Sequence, residues 1–485
     1  MSAGTATSPQ TLPLGFRVRL RDDVRRLEGG RLLLGGSPLR AVRLARPVQT
    51  VLTDRVLTVT TEVEARLARQ LLDGNLGDPE LDGTIDAADL TVVVPVRDRP
   101  EQLDRCLAAL SGLHVVVVDD ESRDAVAIER VAQRHTARVV RLETNVGPAS
   151  ARNEGLRRVQ TPYVAFIDSD VEASAAVLRA LGMHFTDRRV ALVGPLVRGI
   201  ARSVRPRWWE RYDAAASSLA LGRRTCSVRP GAAVGWLPSA CLVGRTEVLR
   251  SMGGFAAGLR VGEDVDLVWR LVDAGHVVRY DPSHQALHDV RPTVLGWLGR
   301  KVLYGSGGAV LAQRHGDAVA PAVLAPVMGL AAAAVLLRRP WSVLTSAAAV
   351  GWGAHAVRRA LPDVAGRDAA AVTMSVRGLG WAVRQEAALV TRHWWPAFAV
   401  ASLASARARR IVASALVVDA IVQVTVDRPD VGPLTGWVGR RLDDLSYGAG
   451  LWLGALRSDS ARCLMPRIVT SPSRRRRAGE PRRRS

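Results

Sequence analysis

The chain has 485 residues, 48% of them hydrophobic and 23% charged, which is typical of a folded protein of two or three domains and excludes a disordered chain. The formal net charge of +21 comes from arginine, because Lys301 is the only lysine. The four cysteines form no Cys-x-x-Cys pair, so they predict neither a zinc site nor a disulfide framework and suit a reducing compartment. Residues 1–14 lack the charged start and apolar core of a signal peptide, so we do not expect a secreted protein.

Both ends of the chain are predicted to be disordered, at 1–13 and at 471–485. The C-terminal segment concentrates arginine in Arg474–Arg477 and Arg482–Arg484. Such a basic tail is solvated, and anionic lipid headgroups are its natural functional partner. No aromatic residue alternates with these arginines, so the pattern does not favour nucleic acid.

Residues 14–80 predict a small α+β module. Strand patterns occupy Phe16–Leu20, Arg31–Pro38 and Leu39–Leu44, and helical spacing occupies Pro47–Leu52 and Glu62–Leu72, the latter with Val63, Leu67 and Leu71 on one face. This order resembles the winged-helix-like peptide-recognition domain of the PqqD type, in which an extended peptide pairs with a strand edge. A structural appendage is an equal alternative. The Asp-rich segment 81–89 is predicted to be a linker.

The next segment alternates strands and helices, with buried strands predicted to start at Leu90, His114, Ala137 and Tyr163. This rhythm is typical of an α/β protein with a doubly wound parallel sheet, in which ligands bind at the carboxyl ends of the strands. Polar clusters occur at three of these ends, namely Pro95–Arg99, Asp119–Asp120 and Asp168–Asp170. We therefore expect a binding site there.

Two carboxylates, Asp168 and Asp170, end the apolar strand that starts at Tyr163. They would point the same way if the strand geometry continued, because side chains alternate with period two. A hard divalent cation between them would offset their mutual repulsion. The alternative is a capped turn at a helix start.

Five motifs, taken in order, resemble the family 2 glycosyltransferases, which have the GT-A fold. The motifs are Val94–Asp98, Val118–Ser122, Asn145–Asn153, Asp168–Asp170 and Gly262–Asp264, within a resemblance that runs from about Thr91 to His288. The resemblance implies a Rossmann-like, mostly parallel catalytic domain at 90–300 that transfers a sugar from a UDP-activated nucleotide sugar with inversion. Two positions depart from the pattern, because the family often has Asn at Asp98 and Gly at Glu121.

The resemblance also implies substrate-binding roles. Pro95 and Asp98 would line the nucleotide pocket, Asp120 would accept a hydrogen bond from the base, and Asp168 would approach the ribose. Arg152 would neutralise phosphate or order the acidic cluster. The alternatives are helix caps for Asp119 and Asp120 and a structural salt bridge for Arg152.

A divalent metal, Mg²⁺ or Mn²⁺, is implied as well. Asp170 would coordinate it, with Asp168 beside it, and the cation would stabilise the charge that develops on the leaving diphosphate. His288 would complete the site as a neutral imidazole. His284 and a structural role for His288 are the alternatives.

Glu263 and Asp264 begin a predicted helix, where the helix dipole favours carboxylates. In the resembling family the Asp of this pair is the general base, so Asp264 would take the proton of the acceptor hydroxyl. Glu263 would position the acceptor or the base. Trp208 and Trp209 are candidates for an acceptor platform, with core packing as the commoner use of such residues.

The segment 301–470 is predicted to be helical and membrane-associated. Charge-free runs occupy Ala318–Leu337 and Trp341–Val357, with arginine pairs at both ends of the second run. That arrangement conflicts with the positive-inside rule for a two-span hairpin, so we expect a re-entrant or interfacial hairpin instead. Trp394–Trp395 resemble an interfacial belt. Asp419 makes a further span at 411–426 doubtful, and a helical soluble domain is the alternative.

The module order resembles that of glycosyltransferases that modify a peptide-derived redox cofactor, which implies glucose transfer from UDP-glucose at the cytoplasmic face of the membrane. One alternative is a membrane glycosyltransferase for a lipid or cell-wall polysaccharide acceptor. A different class is a non-catalytic scaffold that binds a peptide or nucleotide. A scaffold would tolerate Asp264→Asn, whereas an enzyme would keep donor binding and lose turnover.

Overall fold

The computed structural model describes residues 11–27, 30–37, 39–44, 52, 54–363, 365–427 and 430–469. The helix predicted at Pro47–Leu52 falls almost wholly outside these residues. The basic tail at 471–485 and most of the predicted disordered start also lie outside them, so those predictions are untested.

The described residues of the N-terminal region form two small antiparallel sheets and one helix. Its elements are β1 (Arg17–Leu20), β2 (Arg25–Leu27), β3 (Leu32–Gly35), β4 (Arg40–Arg43), β5 (Val56–Thr58), α1 (Glu62–Asp73) and β6 (Gly77–Glu80). One sheet has the order β5-β1-β6 and the other β2-β3-β4. Helix α1 begins where Thr61 and Glu64 form a reciprocal capping box. Of the three residues predicted to share one face of this helix, Leu67 and Leu71 are buried, whereas Val63 in the first turn is 51% exposed.

The centre of the molecule is a nine-stranded sheet. Its strands are β7 (Leu90–Val96), β8 (His114–Asp119), β9 (Arg138–Arg141), β10 (Tyr163–Ile167), β11 (Val171–Glu172), β12 (Val190–Ile200), β13 (Cys226–Ser227), β14 (Cys241–Arg245) and β15 (Val277–Asp289). The order is β11-β15-β12-β14-β10-β7-β8-β9, with β13 paired to β15. The pairings make β7, β8, β9, β10, β12 and β15 run in one direction and β11, β13 and β14 in the other. The predicted α/β fold with a mostly parallel sheet is confirmed.

Helices cover both faces of this sheet. They are α2 (Pro100–Ala109), α3 (Ala125–Arg134), α4 (Gly147–Arg158), α5 (Ala175–Leu181), α6 (Trp208–Ala215), α7 (Thr246–Ser251) and α8 (Glu263–Asp273). Val92 and Val94 belong to one apolar cluster and Val93 to the other, as the period-two alternation of a strand requires. Burial on both faces explains why these strands are continuous apolar runs in the sequence.

The C-terminal region is helical. Its helices are α9 (Val294–Ser306), α10 (Gly308–His315), α11 (Pro326–Leu337), α12 (Ser342–Ala360), α13 (Arg367–Ala388), α14 (Trp395–Ala404), α15 (Ala406–Val422) and α16 (Pro433–Arg457), and a two-stranded sheet joins β16 (Val323–Leu324) to β17 (Arg467–Ile468). Among the residues that the structure describes, no helix combines the length and the apolar character that a membrane crossing requires. Asp419 is buried and pairs with Arg440 at 2.8 Å and Arg441 at 2.7 Å.

Two groups of tryptophans are half-buried. Trp394 donates its indole N–H to the Leu464 carbonyl at 2.8 Å and Trp395 to the Leu445 carbonyl at 3.1 Å. That this pair lies at a membrane interface stays a prediction. Trp208 packs edge-to-face on Trp297, with ring centroids 6.2 Å apart. Core packing, the alternative to an acceptor platform, therefore describes Trp208.

Candidate active site

The carboxyl ends of β7, β8 and β10 open into a cavity of about 1420 Å³. Every residue that the sequence analysis assigns to the site lines this cavity: Pro95, Asp98, Asp120, Arg152, Asp168, Asp170, Glu263, Asp264 and His288. The convergence follows from the parallel pairing, which brings the ends of neighbouring strands to one edge of the sheet. Of the two histidines considered for the metal site, only His288 lines the cavity, and His284 Nε2 lies 3.9 Å from Asp281 Oδ2 instead.

Left-handed backbone occurs at both positions that depart from the family pattern. The φ angle is +55° at Asp98 and +62° at Glu121. Gly and Asn tolerate this conformation, Asp does so less often, and Glu is strained in it. Asp98 also accepts a hydrogen bond from the backbone N–H of Arg123 at 2.7 Å, which fixes the loop after β8 beside the loop after β7.

Asp120 organises the start of α4. Its carboxylate accepts hydrogen bonds from the backbone N–H groups of Val146 at 2.8 Å and Gly147 at 2.9 Å. These contacts match the capping alternative, although the helix that Asp120 caps is α4 and not the helix that follows it in sequence. The carboxylate still lines the cavity, where its remaining lone pairs face the space for a ligand.

A buried guanidinium joins two of the predicted carboxylates. Arg152 is 2% exposed and lies 2.5 Å from Asp168 and 3.0 Å from Glu263, with its guanidinium over the Phe255 ring. Burial opposes the charge of Arg152, but the carboxylates of Asp168 and Glu263 outweigh it and raise the pKa of Arg152. Arg152 therefore orders the acidic cluster, one of the two roles foreseen for it.

Asp264 has a different environment from the other acids. Its carboxylate accepts the backbone N–H of Val265 at 2.8 Å and of Ser239 at 3.2 Å. Burial, reinforced by the neighbouring charge of Glu263, raises the pKa of Asp264 to about 7. A carboxylate with this pKa can accept a proton near neutral pH, as a general base must.

Asp170 lies among positive groups. Arg99 forms an ion pair with it, Arg291 Nη2 lies 3.4 Å from Asp170 Oδ2, and His288 Nε2 lies 3.8 Å from Asp170 Oδ1. His288 stands directly across from Val171 in the β11–β15 pairing, which explains its approach. Burial would raise the pKa of Asp170, but the charges of His288, Arg99 and Arg291 outweigh burial and lower it.

Only some of the predicted metal ligands are placed where they could bind a divalent cation. Carboxylate oxygen and imidazole nitrogen are both ligands of Mn²⁺, and Mg²⁺ or Mn²⁺ in such enzymes takes its other ligands from water and substrate phosphate. The predicted set of three is not assembled, because Asp168 is directed to Arg152. In the described ranges no group of three or more His, Cys, Asp or Glu side chains is arranged to hold a metal. Asp170 and His288 are the pair that fits.

The sequence analysis missed three basic residues of the site: Arg99, Arg291 and Arg300. Arg300 lines the cavity, and its charge acts on both Asp170 and Arg291. Arg99 belongs to the polar turn after β7, which the sequence analysis placed at the binding site, so that motif could have indicated a role for Arg99. Arg291 and Arg300 come from the segment after β15, and no local pattern separates them from the many other arginines of this chain.

The fold and this site define a glycosyltransferase, and comparison with known proteins gives its family. The family model for Glycosyl transferase family 2 matches residues 91–251. The chain is also 39% identical over 467 residues to the pre-mycofactocin glycosyltransferase of Mycobacterium tuberculosis, covering 95% of this chain and 99% of that protein. The chain belongs to glycosyltransferase family 2 and is a nucleotide-sugar-dependent enzyme that is similar over nearly its whole length to the mycofactocin-system glycosyltransferase.

Two weaker similarities complete the comparison. An uncharacterized glycosyltransferase of Haemophilus influenzae is 23% identical over 198 residues, which is 38% of this chain and 62% of that protein. A mannosyltransferase from Pyrobaculum calidifontis, solved with GDP-Man and Mn²⁺, is 17% identical and superposes with a TM-score of 0.42, covering 78% of this chain and 90% of that one.

Proposed function

We propose that this enzyme transfers glucose from UDP-glucose, with inversion, to a hydroxyl group of the mycofactocin precursor. The main support for this proposal is that one cavity contains Asp264, whose pKa is about 7, together with basic groups that include Arg99 and Arg300. The name of the Mycobacterium tuberculosis relative supports the acceptor. We retain UDP-glucose as the donor from the resemblance of the module order.

The residues divide the reaction between them. Asp264 takes the proton of the acceptor hydroxyl while the oxygen forms its bond to the anomeric carbon, and the bond from that carbon to the diphosphate oxygen breaks on the opposite face. The negative charge of the leaving UDP develops beside Arg99 and Arg291, which stabilise it electrostatically. A divalent cation held by Asp170 and His288 would supply further positive charge there. Asp98 and Asp120 border the space for the nucleotide base of the donor.

A product assay tests this proposal directly. Purified enzyme is incubated with pre-mycofactocin and either UDP-glucose or GDP-mannose, with Mn²⁺ or Mg²⁺, and the acceptor is followed by mass spectrometry. We expect one or more hexose additions from UDP-glucose. If only GDP-mannose gives hexose addition, the assignment of UDP-glucose as the donor is wrong. If neither donor gives addition, the assignment of the mycofactocin precursor as the acceptor is wrong.

We also propose the division into an N-terminal module at 14–80, a linker at 81–89, a catalytic domain at 90–300 and a helical region at 301–470. The helical region would attach the enzyme peripherally to the cytoplasmic face of the cell membrane. Its exposed apolar side chains support this attachment: Trp341 at 48%, Val343 at 74%, Leu344 at 73%, Trp352 at 68% and Trp381 at 59% exposure. Arginines next to these helices would contact anionic headgroups.

A further inference from the structure

The active-site cavity continues from the nucleotide motifs to the C-terminal helices. Its wall on that side is built by α9, α10 and α16, which contribute Arg300, Lys301, Leu303, Tyr304, Leu311, Asp443, Tyr447 and Leu451. At about 1420 Å³ the cavity is larger than the pockets that usually bind one small-molecule ligand, which measure roughly 300–1000 Å³. The helical wall therefore borders space for a second substrate.

This wall packs directly against the segment that contains Asp264, the proposed general base. A Cβ atom at Gly262, two residues before Asp264, would lie 2.7 Å from Leu311 Cδ1. A Cβ atom at Gly307, between α9 and α10, would lie 3.1 Å from the Val261 carbonyl oxygen. The junction of α9 and α10 is thus fixed against the start of α8.

Tyr304 faces the catalytic carboxylates from this wall. Its burial and the charges of Asp264 and Asp168 raise the pKa of Tyr304, so the hydroxyl keeps its proton and can donate it in a hydrogen bond. No group in the described part of the chain forms a hydrogen bond with this hydroxyl. Its ring lies over the guanidinium of Arg300, 5.4 Å from the ring centroid.

Lys301, the only lysine of the chain, lies one residue further along the wall. Its ammonium is 2.7 Å from Asp443 Oδ1 and 3.9 Å from Asp213 Oδ1, and its side chain is 5% exposed. Neither the ammonium nor Asp443 Oδ1 forms an aligned hydrogen bond with a described residue. An ammonium has three hydrogen-bond donors, so Lys301 and Asp443 can still bond to a ligand. Buried polar groups without a hydrogen-bond partner are unfavourable, so such a ligand would stabilise the pair.

The wall combines these polar groups with apolar ones. Leu303, Leu311 and Leu451 line the same part of the cavity. Nearby, residues Leu389–His393 form a π-helical turn, a distortion that is frequent at functional sites, and Arg392 and His393 of this turn also line the cavity. A ligand with several hydroxyl groups and an apolar body would match this wall.

We propose that α9, α10 and α16 form the acceptor subsite. Lys301 and Asp443 hydrogen-bond hydroxyl groups of the acceptor, the leucines contact its apolar body, and the Tyr304 hydroxyl positions the reacting oxygen beside Asp264. The inference rests on the proposed transfer to a hydroxylated acceptor. It assigns acceptor recognition to the C-terminal helices, whereas the sheet edge binds the donor.

Binding of pre-mycofactocin tests the subsite without requiring turnover. Titration calorimetry in saturating UDP compares the wild type with the isosteric variants Tyr304→Phe and Asp443→Asn. Each variant should raise the Kd of pre-mycofactocin by about tenfold, because a polar partner of a buried group is lost, and should leave the Kd of UDP within about twofold of the wild type. Tyr163→Phe is the matched control, since Tyr163 stacks on Phe185 with centroids 4.7 Å apart and does not line the cavity.

The outcomes separate the subsite from the proposed function. Unchanged acceptor binding in both variants, an equal loss of UDP and acceptor affinity, or no binding of pre-mycofactocin to the wild type would overturn the subsite. A wild type that binds UDP and pre-mycofactocin but transfers no glucose would contradict the proposed function, while weakened acceptor binding in the variants would still support the subsite. Thermal unfolding of each variant checks that the fold is intact.

Discussion

Arg152 divides the acids of the active site into two kinds. It pairs with Asp168 and Glu263, whereas Asp264 forms no ion pair with any residue that the structure describes. A buried carboxylate without a cationic partner has a raised pKa, because burial penalises its charged form. This difference in environment makes Asp264 the acid suited to accept a proton near neutral pH.

The pH dependence of transfer should follow Asp264. Its pKa of about 7 means that the active, deprotonated form accumulates as the pH rises from 6 to 8, so kcat should rise over that window. Removing the neighbouring charge in Glu263→Gln should lower the pKa and move the midpoint to lower pH. A pH–rate profile of both proteins measures this, and a midpoint that is unchanged or higher in Glu263→Gln would contradict the assignment.

The arginines around Asp170 should determine affinity for the diphosphate. Arg99→Gln and Arg291→Gln should each weaken UDP binding by about tenfold, since a charge-assisted hydrogen bond is lost, and should leave uridine binding unchanged. Calorimetry with UDP and uridine, with Mn²⁺ and after chelation, gives the comparison. Arg105→Gln is the matched control, because Arg105 pairs with Glu172 and Asp289, whereas Arg99 and Arg291 lie against Asp170. Equal losses for UDP and uridine would show that these arginines act on the fold instead.

At the scale of elements, the order of strands and helices was predictable where a strand is an apolar run followed by a polar turn, as in β7, β8 and β10. The polar turns gave the site residues at the ends of β7, β8 and β10. Arg291 and Arg300 were not predictable, because they come from the segment after β15 and only tertiary packing brings Arg291 to Asp170 and Arg300 to the cavity wall. Strand β15 likewise continues past its apolar start to Asp289, because its pairing with β11 and β12 extends it.

The close packing of α4 on β7 should be sensitive to one methyl group. A Cβ atom at Gly155 would lie 2.2 Å from Val93 Cγ1, so Gly155→Ala should destabilise the protein by about 1–3 kcal/mol. Gly378→Ala in α13 is the control, because nothing lies within 4 Å of its Cβ position and the substitution should stabilise by about 0.5–1 kcal/mol. Chemical denaturation measures both, and equal effects would contradict the packing argument.

At the scale of the whole molecule, the three regions contact one another through specific pairs. Arg69 of α1 bonds to Asp187 of the central region at 2.8 Å, and the Asn75 side chain accepts the Ser227 backbone N–H at 2.7 Å. Leu34 of β3 packs with Leu361 and Ala370 of the helical region. These contacts join residues that are far apart in the sequence. Local sequence patterns therefore do not predict how the three regions are arranged.

The exposed apolar face of the helical region should bind lipid. We expect the full chain to float with vesicles that contain phosphatidylglycerol, more weakly at high salt and more weakly in Leu344→Ser with Trp352→Ser. Val126→Ser is the matched control, because Val126 is 66% exposed on α3 in the catalytic region. Flotation that is absent in the wild type, or that Val126→Ser reduces as much, would contradict membrane attachment through this face.

The central claim is that Asp264 is the base of a UDP-glucose-dependent transfer. The most direct measurement compares wild type and Asp264→Asn for two quantities: UDP affinity, and glucose transfer to pre-mycofactocin in the presence of Mn²⁺. The account predicts similar UDP affinity and a loss of transfer of at least about 100-fold, the usual contribution of a general base. Transfer that persists in Asp264→Asn, or a loss of transfer explained by an equal loss of UDP binding, would contradict it.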